Sequence, residues 1–139
     1  MNQSEKRISY LLRTLTDIGL ALSTEKNHTR LLELILNKSQ DITNADGGTI
    51  YTCIENKELK FEVMLNRSMN IHLIGSNASH AGFNNIALYN EGNVPNLHML
   101  APYAAISRKT INIKNIYRNR TFDLAGTKKF DQQMGYNTN

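Results

Sequence analysis

The first clear signal in the chain is a run of apolar residues at alternating steps of three and four. Ile8, Leu11, Leu15, Ile18 and Leu22 follow one another between Glu5 and Ser23, while Lys6, Arg7, Arg13 and Asp17 fall elsewhere around the turn. This spacing predicts a helix with a heptad-like seam. A helix with so few turns of seam is marginal by itself, so the stripe has to be covered by its own domain or by a second copy. The seam is accordingly the expected dimerisation element. A polar break follows at Ser23-Thr24-Glu25-Lys26, and Asn27 can then cap a second helix by accepting a hydrogen bond in its first turn. Leu31, Leu32, Leu34, Ile35, Leu36 and Ile42 give that helix a broad apolar face over residues 29–43, the usual mark of a core helix.

Asn44-Ala45-Asp46-Gly47-Gly48 carries turn chemistry, with the paired glycines expected to supply positive φ. Beyond it the period changes from helical to alternating. Thr49-Ile50-Tyr51-Thr52-Cys53-Ile54 is rich in β-branched and aromatic residues, Glu55-Asn56-Lys57-Glu58 is a polar turn, and Leu59 to Leu65 alternates almost strictly. The pair predicts a hairpin. Leu59, Phe61, Val63 and Leu65 share its buried face, and Lys60 and Glu62 its wet one.

From Arg67 to Asn96 the pattern dissolves into Asn, Ser, Gly and His, with brief apolar pieces at residues 71–74 and 86–89. Long irregular stretches in a compact domain are usually functional or mobile. Helical spacing returns over residues 97–107, although Pro102 requires the helix to begin near Ala101. Thr110-Ile111-Asn112-Ile113 reads as a short strand, and residues 119–136 as loop and short helix.

The length of 139 residues and the 40% hydrophobic composition suit one domain with a single core. There is no apolar run of about 18 residues, and the polar start Met1-Asn2-Gln3-Ser4-Glu5-Lys6 lacks the features of a secretory signal. The expectation is a cytoplasmic protein with no membrane association. Asn-x-Ser/Thr triplets such as Asn77-Ala78-Ser79 then carry no meaning as glycosylation acceptors. The net charge of +4 is uneven: residues 1–66 hold 8 basic and 9 acidic side chains, and residues 67–139 hold 8 basic and 3 acidic. Arg108, Lys109, Lys114, Arg118, Arg120, Lys128 and Lys129 could attract an anionic ligand or nucleic acid, or could form a solvated loop face.

Recognisable catalytic machinery is missing from the sequence. It holds no phosphate-binding Walker loop, dinucleotide glycine turn, Gly-x-Ser-x-Gly elbow or His-Glu-x-x-His helix. His28, His72, His80 and His98 are far apart and have no metal-competent neighbour at helical spacing, so no metal site is expected. Cys53 is the sole cysteine, which excludes an internal disulfide. Set mid-strand, it is expected to be a buried structural residue. The reading is a non-enzymatic protein.

The order of elements, together with Thr121-Phe122-Asp123 and the run Phe130-Asp131-Gln132-Gln133-Met134-Gly135-Tyr136-Asn137-Thr138, resembles GAF domains. The C-terminal run is similar to the Phe…Asp-x-x-Thr-Gly-Tyr-x-Thr signature of GAF domains in cyclic-nucleotide phosphodiesterases and adenylyl cyclases. Leu31-Leu32-Glu33-Leu34-Ile35-Leu36 and Ala45 to Tyr51 look like the second helix and first strand of GAF modules attached to HD-GYP and diguanylate cyclase outputs. The resemblance extends from about Leu11 to Thr138. It implies an α+β fold, a GAF-like antiparallel sheet with the N-terminal helices packed on one face. It also implies that the last strands, which lie mid-sheet in the family, are missing, so that strand exchange or tight dimerisation compensates and a C-terminal output domain is absent from this chain. Asp131 matches the Asp of the NKFDE motif, whose Lys–Asp salt bridge closes the pocket of cyclic-nucleotide-binding relatives. Its Asn-Lys pair and final Glu have no clear counterpart here. GAF-fold methionine-sulfoxide reductases use several cysteines and bilin-binding relatives one near the pocket helix, and neither pattern occurs.

The expected ligand site is an apolar cleft with a few convergent polar groups, lined by His72, Ser79, Leu88, Tyr89, Tyr103, Asn112, Phe122 and Asp131. Each has a plainer reading: Tyr103 as core, Asp131 as a cap or local ion-pair partner. These features lead to the expectation of a homodimeric sensor in signal transduction, binding a small molecule or nucleotide of unknown identity. The alternatives are a ligand-free dimerisation scaffold and a basic nucleic-acid-binding domain.

Overall fold

The computed structural model describes residues 2–78 and 83–138. It is a mixed α+β fold in which two long helices precede antiparallel strands. Helix α1 is Gln3–Thr24, α2 is His28–Thr43, and strands β1 (Gly47–Ile54), β2 (Glu58–Asn66) and β3 (Ile71–Ile74) follow. Then come a single helical turn α3 (Gly75–Ala78), short strands β4 (Ile86–Ala87), β5 (Tyr89–Asn90) and β6 (Val94–Pro95), and helices α4 (Leu100–Ser107) and α5 (Ala125–Met134). The chain divides into two compact units, Met1–Tyr51 with Phe61–Phe83, and Thr52–Lys60 with Asn84–Asn139.

In the first unit α1 starts at a capping box. The Asn2 side chain accepts from the Glu5 N–H, and the Glu5 carboxylate accepts from the Asn2 N–H, both at 2.8 Å. Helix α1 packs on α2. Its least exposed residues are Leu11, Thr14, Ile18, Ala21 and Glu25, again spaced by three and four. Thr14 is only 3% exposed, and its hydroxyl stays satisfied by donating to the Tyr10 carbonyl at 2.9 Å. The seam read from the sequence therefore divides: Leu11 and Ile18 are partly covered, whereas Ile8, Leu15 and Leu22 stand exposed.

Asn27 caps α2 as expected, its side chain accepting from the Arg30 N–H at 3.0 Å. The helix ends on Asn44 in the left-handed conformation, φ 55°. Gly47 and Gly48 do not take the positive φ expected of them, and they open β1 instead. Gly48 packs closely on α2: a Cβ there would meet Leu36 Cδ1 at 2.6 Å, so any larger residue obliges the Leu36 side chain to shift. Leu36 belongs to the core with Val63 and Leu65, against which Leu32 and Ile50 pack. This joins α2 to one face of the hairpin.

The turn between β1 and β2 places Glu55 and Asn56 at positive φ, and the Lys57 N–H donates to the Ile54 carbonyl at 2.8 Å. Leu59, Phe61, Val63 and Leu65 are all buried while Lys60 is exposed, which is the expected alternation. The strand order is β1-β2-β3, with β4 also pairing to β2. Among the described residues no strand lies on the outer edge of β1. Cys53 corrects the sequence expectation: it is exposed, because it projects from the strand face opposite Ile50 and Ile54, next to the turn.

In the second unit β4 pairs with the tip of β2 in the register Glu58↔Ala87 and Leu59↔Ile86. The Leu88 N–H donates to the Lys57 carbonyl at 2.8 Å, and β5 and β6 form a two-stranded ribbon. Helix α4 begins at Leu100, which puts Pro102 in its first turn where the missing N–H costs nothing. Residues 110–113 are not a strand. Ile111 and Ile113 are only partly covered there, so the alternation of Thr110 to Ile113 finds no partner strand and the segment stays irregular.

Candidate functional site

The residues expected to line one cleft fall into different surroundings. His72, on β3 in the first unit, has its Nε2 2.7 Å from Glu33 Oε1 on α2. Ser79 lies outside the described residues. Leu88, Tyr89, Tyr103, Asn112, Phe122 and Asp131 belong to the second unit. Leu88 is 4% exposed and part of its core, and Tyr89 sits on β5 opposite Pro95. Tyr103 and Phe122 do meet, edge to face with ring centroids 5.1 Å apart, a packing pair of the ordinary aromatic kind.

Asp131 is 2% exposed, and its carboxylate is fully engaged within the chain. It accepts from the Tyr117 hydroxyl, from the Thr138 N–H at 3.0 Å and from the Thr138 hydroxyl at 2.9 Å. The bond to Asp131 is the main cause that raises the Tyr117 pKa above its ordinary value, because it favours the protonated phenol. These bonds fasten the segment after α5 to the loop before it, which is the local-partner reading of Asp131.

Asn112 is the expected residue that does line an opening. With Ile113, Lys114, Asn115, Arg118 and Asn119 it borders a cleft of about 490 Å³. Two asparagine turns shape this loop. Asn115 Oδ1 accepts from the N–H groups of Tyr117 and Arg118, at 2.9 and 3.1 Å. Asn119 Oδ1 accepts from those of Thr121 and Phe122, both at 3.0 Å. Ile116, 8% exposed, pins the loop between them into the core. Lys114, Asn115, Arg118 and Asn119 were not singled out together from the sequence. Their signal is the Asn-x-x-x-Asn spacing combined with bases and no acid between Lys109 and Phe122.

A second, smaller groove of about 360 Å³ lies in the first unit between the end of α1 and the start of α2, where Glu25, Arg30 and Glu33 face it. No helix among the described residues is long and apolar enough to cross a membrane. No family model, curated protein or solved structure matches this chain.

Proposed function

We propose that this chain is a regulatory module of the GAF type, which dimerises and senses a small ligand within a cytoplasmic signalling protein and biases an output domain. The observation that carries the reading is the second apolar stripe of α1. One line of the helix, from Leu11 to Glu25, is the covered one. On another, Ile8, Leu12, Leu15 and Leu22 are 55%, 61%, 59% and 54% exposed, at helical spacing along a helix roughly 33 Å long. Exposed apolar stripes of this kind mark interaction surfaces, and an isologous pairing with a second copy covers both stripes at once. Two leading helices, the second packed on an antiparallel hairpin, also suit the GAF resemblance. A ligand that favours one state of the module would be relayed as a change in the pairing of α1 helices.

The test is the double substitution Leu12→Glu with Leu15→Glu. Both side chains point away from the covered line, so the expected outcome is a folded chain, by circular dichroism, whose mass by sedimentation equilibrium is that of a monomer. A parent that is already monomeric, or a dimer that survives both substitutions, rejects the pairing. A second reading, a dimerisation scaffold without ligand, is favoured by the internal use of Asp131 and of the Tyr103–Phe122 pair. Thermal shift separates the two, because a ligand at 100 times its Kd adds roughly 2.7 kcal/mol.

A further inference from the structure

We propose that the loop Asn112–Asn119 is a binding site for the phosphate or pyrophosphate group of a small metabolite. The argument rests on what the loop has left to offer. Asn115 and Asn119 each spend their side-chain carbonyl twice on backbone N–H groups, Asn115 within the loop and Asn119 on Thr121 and Phe122 just after it. What remains on each is the amide NH2, which only donates. Lys114 and Arg118 add further donors and two positive charges, and neither has an ion-pair partner among the described residues. No carboxylate lines the cleft. Asp131 is buried and bound to Tyr117 and Thr138, and Asp123 is occupied at the start of α5, accepting from the Ala125 N–H at 2.9 Å.

The cleft is broad and open to solvent, so it suits a small anion held by charge and hydrogen bonds at its surface and not a ligand enclosed by apolar walls. Its lining combines donors and positive charge, and the side-chain carbonyls of Asn115 and Asn119 are already engaged, which leaves that of Asn112 as the one side-chain acceptor in the lining without a bond among the described residues. That surface is complementary to a group that is all acceptor and multiply charged, and the planar Arg118 fork matches phosphate oxygens two at a time. The loop is held by its own asparagine turns and by buried Ile116, so the Asn115 and Asn119 amides are placed before any ligand arrives, and the exposed Lys114 and Arg118 side chains are ordered on binding. This assignment gives the sensing module a ligand class and rests on that reading for its regulatory meaning. Binding is measured separately from self-association, so each can fail alone.

The experiment is calorimetric titration of the full chain with sodium pyrophosphate in metal-free, low-salt buffer. The expected result is saturable binding that the variant Lys114→Gln with Arg118→Gln weakens roughly 10- to 100-fold, and adenosine, which has no phosphate, gives no heat. Circular dichroism establishes that the variant is folded. If the double variant does not fold, Lys114→Gln alone, at an exposed position, is expected to weaken binding several-fold. Absence of pyrophosphate binding overturns the proposal, as does affinity in the folded variant within twofold of the parent. So does binding of a single-stranded oligonucleotide in the absence of any pyrophosphate binding, which would transfer the basic loop to nucleic-acid recognition.

Discussion

Asp131 and Gly48 show how single residues set local structure here, and each supports a measurable prediction. The Tyr117 phenol donates to Asp131, which raises its pKa from the ordinary value of 10.0, and burial raises that of Tyr51 in the same direction. A raised folded-state pKa means that the native chain holds the proton more tightly than the unfolded one. The resulting stabilisation is complete below pH 10 and is lost as pH climbs through the folded value. Tyr117→Phe removes one of the two contributions, so its melting temperature is expected to fall less steeply than the parent's above pH 10. Equal slopes in a circular-dichroism series would dismiss the coupling. At Gly48 the constraint is steric. An added methyl would lie 2.6 Å from Leu36 Cδ1, and overpacking a core contact costs about 1–3 kcal/mol. Gly48→Ala should lower urea stability by that amount, and shortening Leu36 to Val in the same chain should return part of it.

At the scale of elements, the helices and the hairpin were legible because burial imposes a period. The steps of three and four in α1 and the alternation from Leu59 to Leu65 both reappear as exposure patterns. Which face of α1 meets α2 was not legible, because the helix carries two apolar lines and Thr14, a polar residue, occupies the covered one. Its hydroxyl is hidden by a bond to Tyr10, a device that no hydropathy pattern reveals. The same cause explains residues 110–113: alternation identifies a strand only where a neighbouring strand supplies hydrogen bonds. The loop 112–119 was invisible as a unit because its order comes from side-chain-to-backbone bonds of asparagine, which have no period. The two lines of α1 predict opposite phenotypes. Ile18→Glu sets a charge on the covered line and should lower thermal stability at every protein concentration, since charge burial is costly, whereas charges on Leu12 and Leu15 should alter mass and remove only the concentration-dependent part of the melting temperature that pairing contributes. Matching melting curves for all three would mean that α1 makes no such distinction.

The whole molecule is electrostatically lopsided. The first unit carries seven basic and seven acidic side chains, and the second nine basic and five acidic, so the entire formal charge of +4 resides in the second. An approaching anion is therefore drawn toward the unit that contains the Asn112–Asn119 cleft, while the apolar stripe of α1 belongs to a unit with no net charge. The two proposed activities should then respond oppositely to salt. The screening length falls from about 10 Å at 0.1 M to about 3 Å at 1 M, so pyrophosphate affinity is expected to drop several-fold across that range. Burial of Ile8, Leu12, Leu15 and Leu22 between copies gains nothing from long-range charge, and excluded salts such as sulfate strengthen it. Dimer mass should hold or rise over a sulfate series, with pyrophosphate binding followed separately in chloride. A dimer that dissociates with sulfate would place charge rather than apolar contact in the interface, and salt-independent pyrophosphate binding would remove Lys114 and Arg118 from the site.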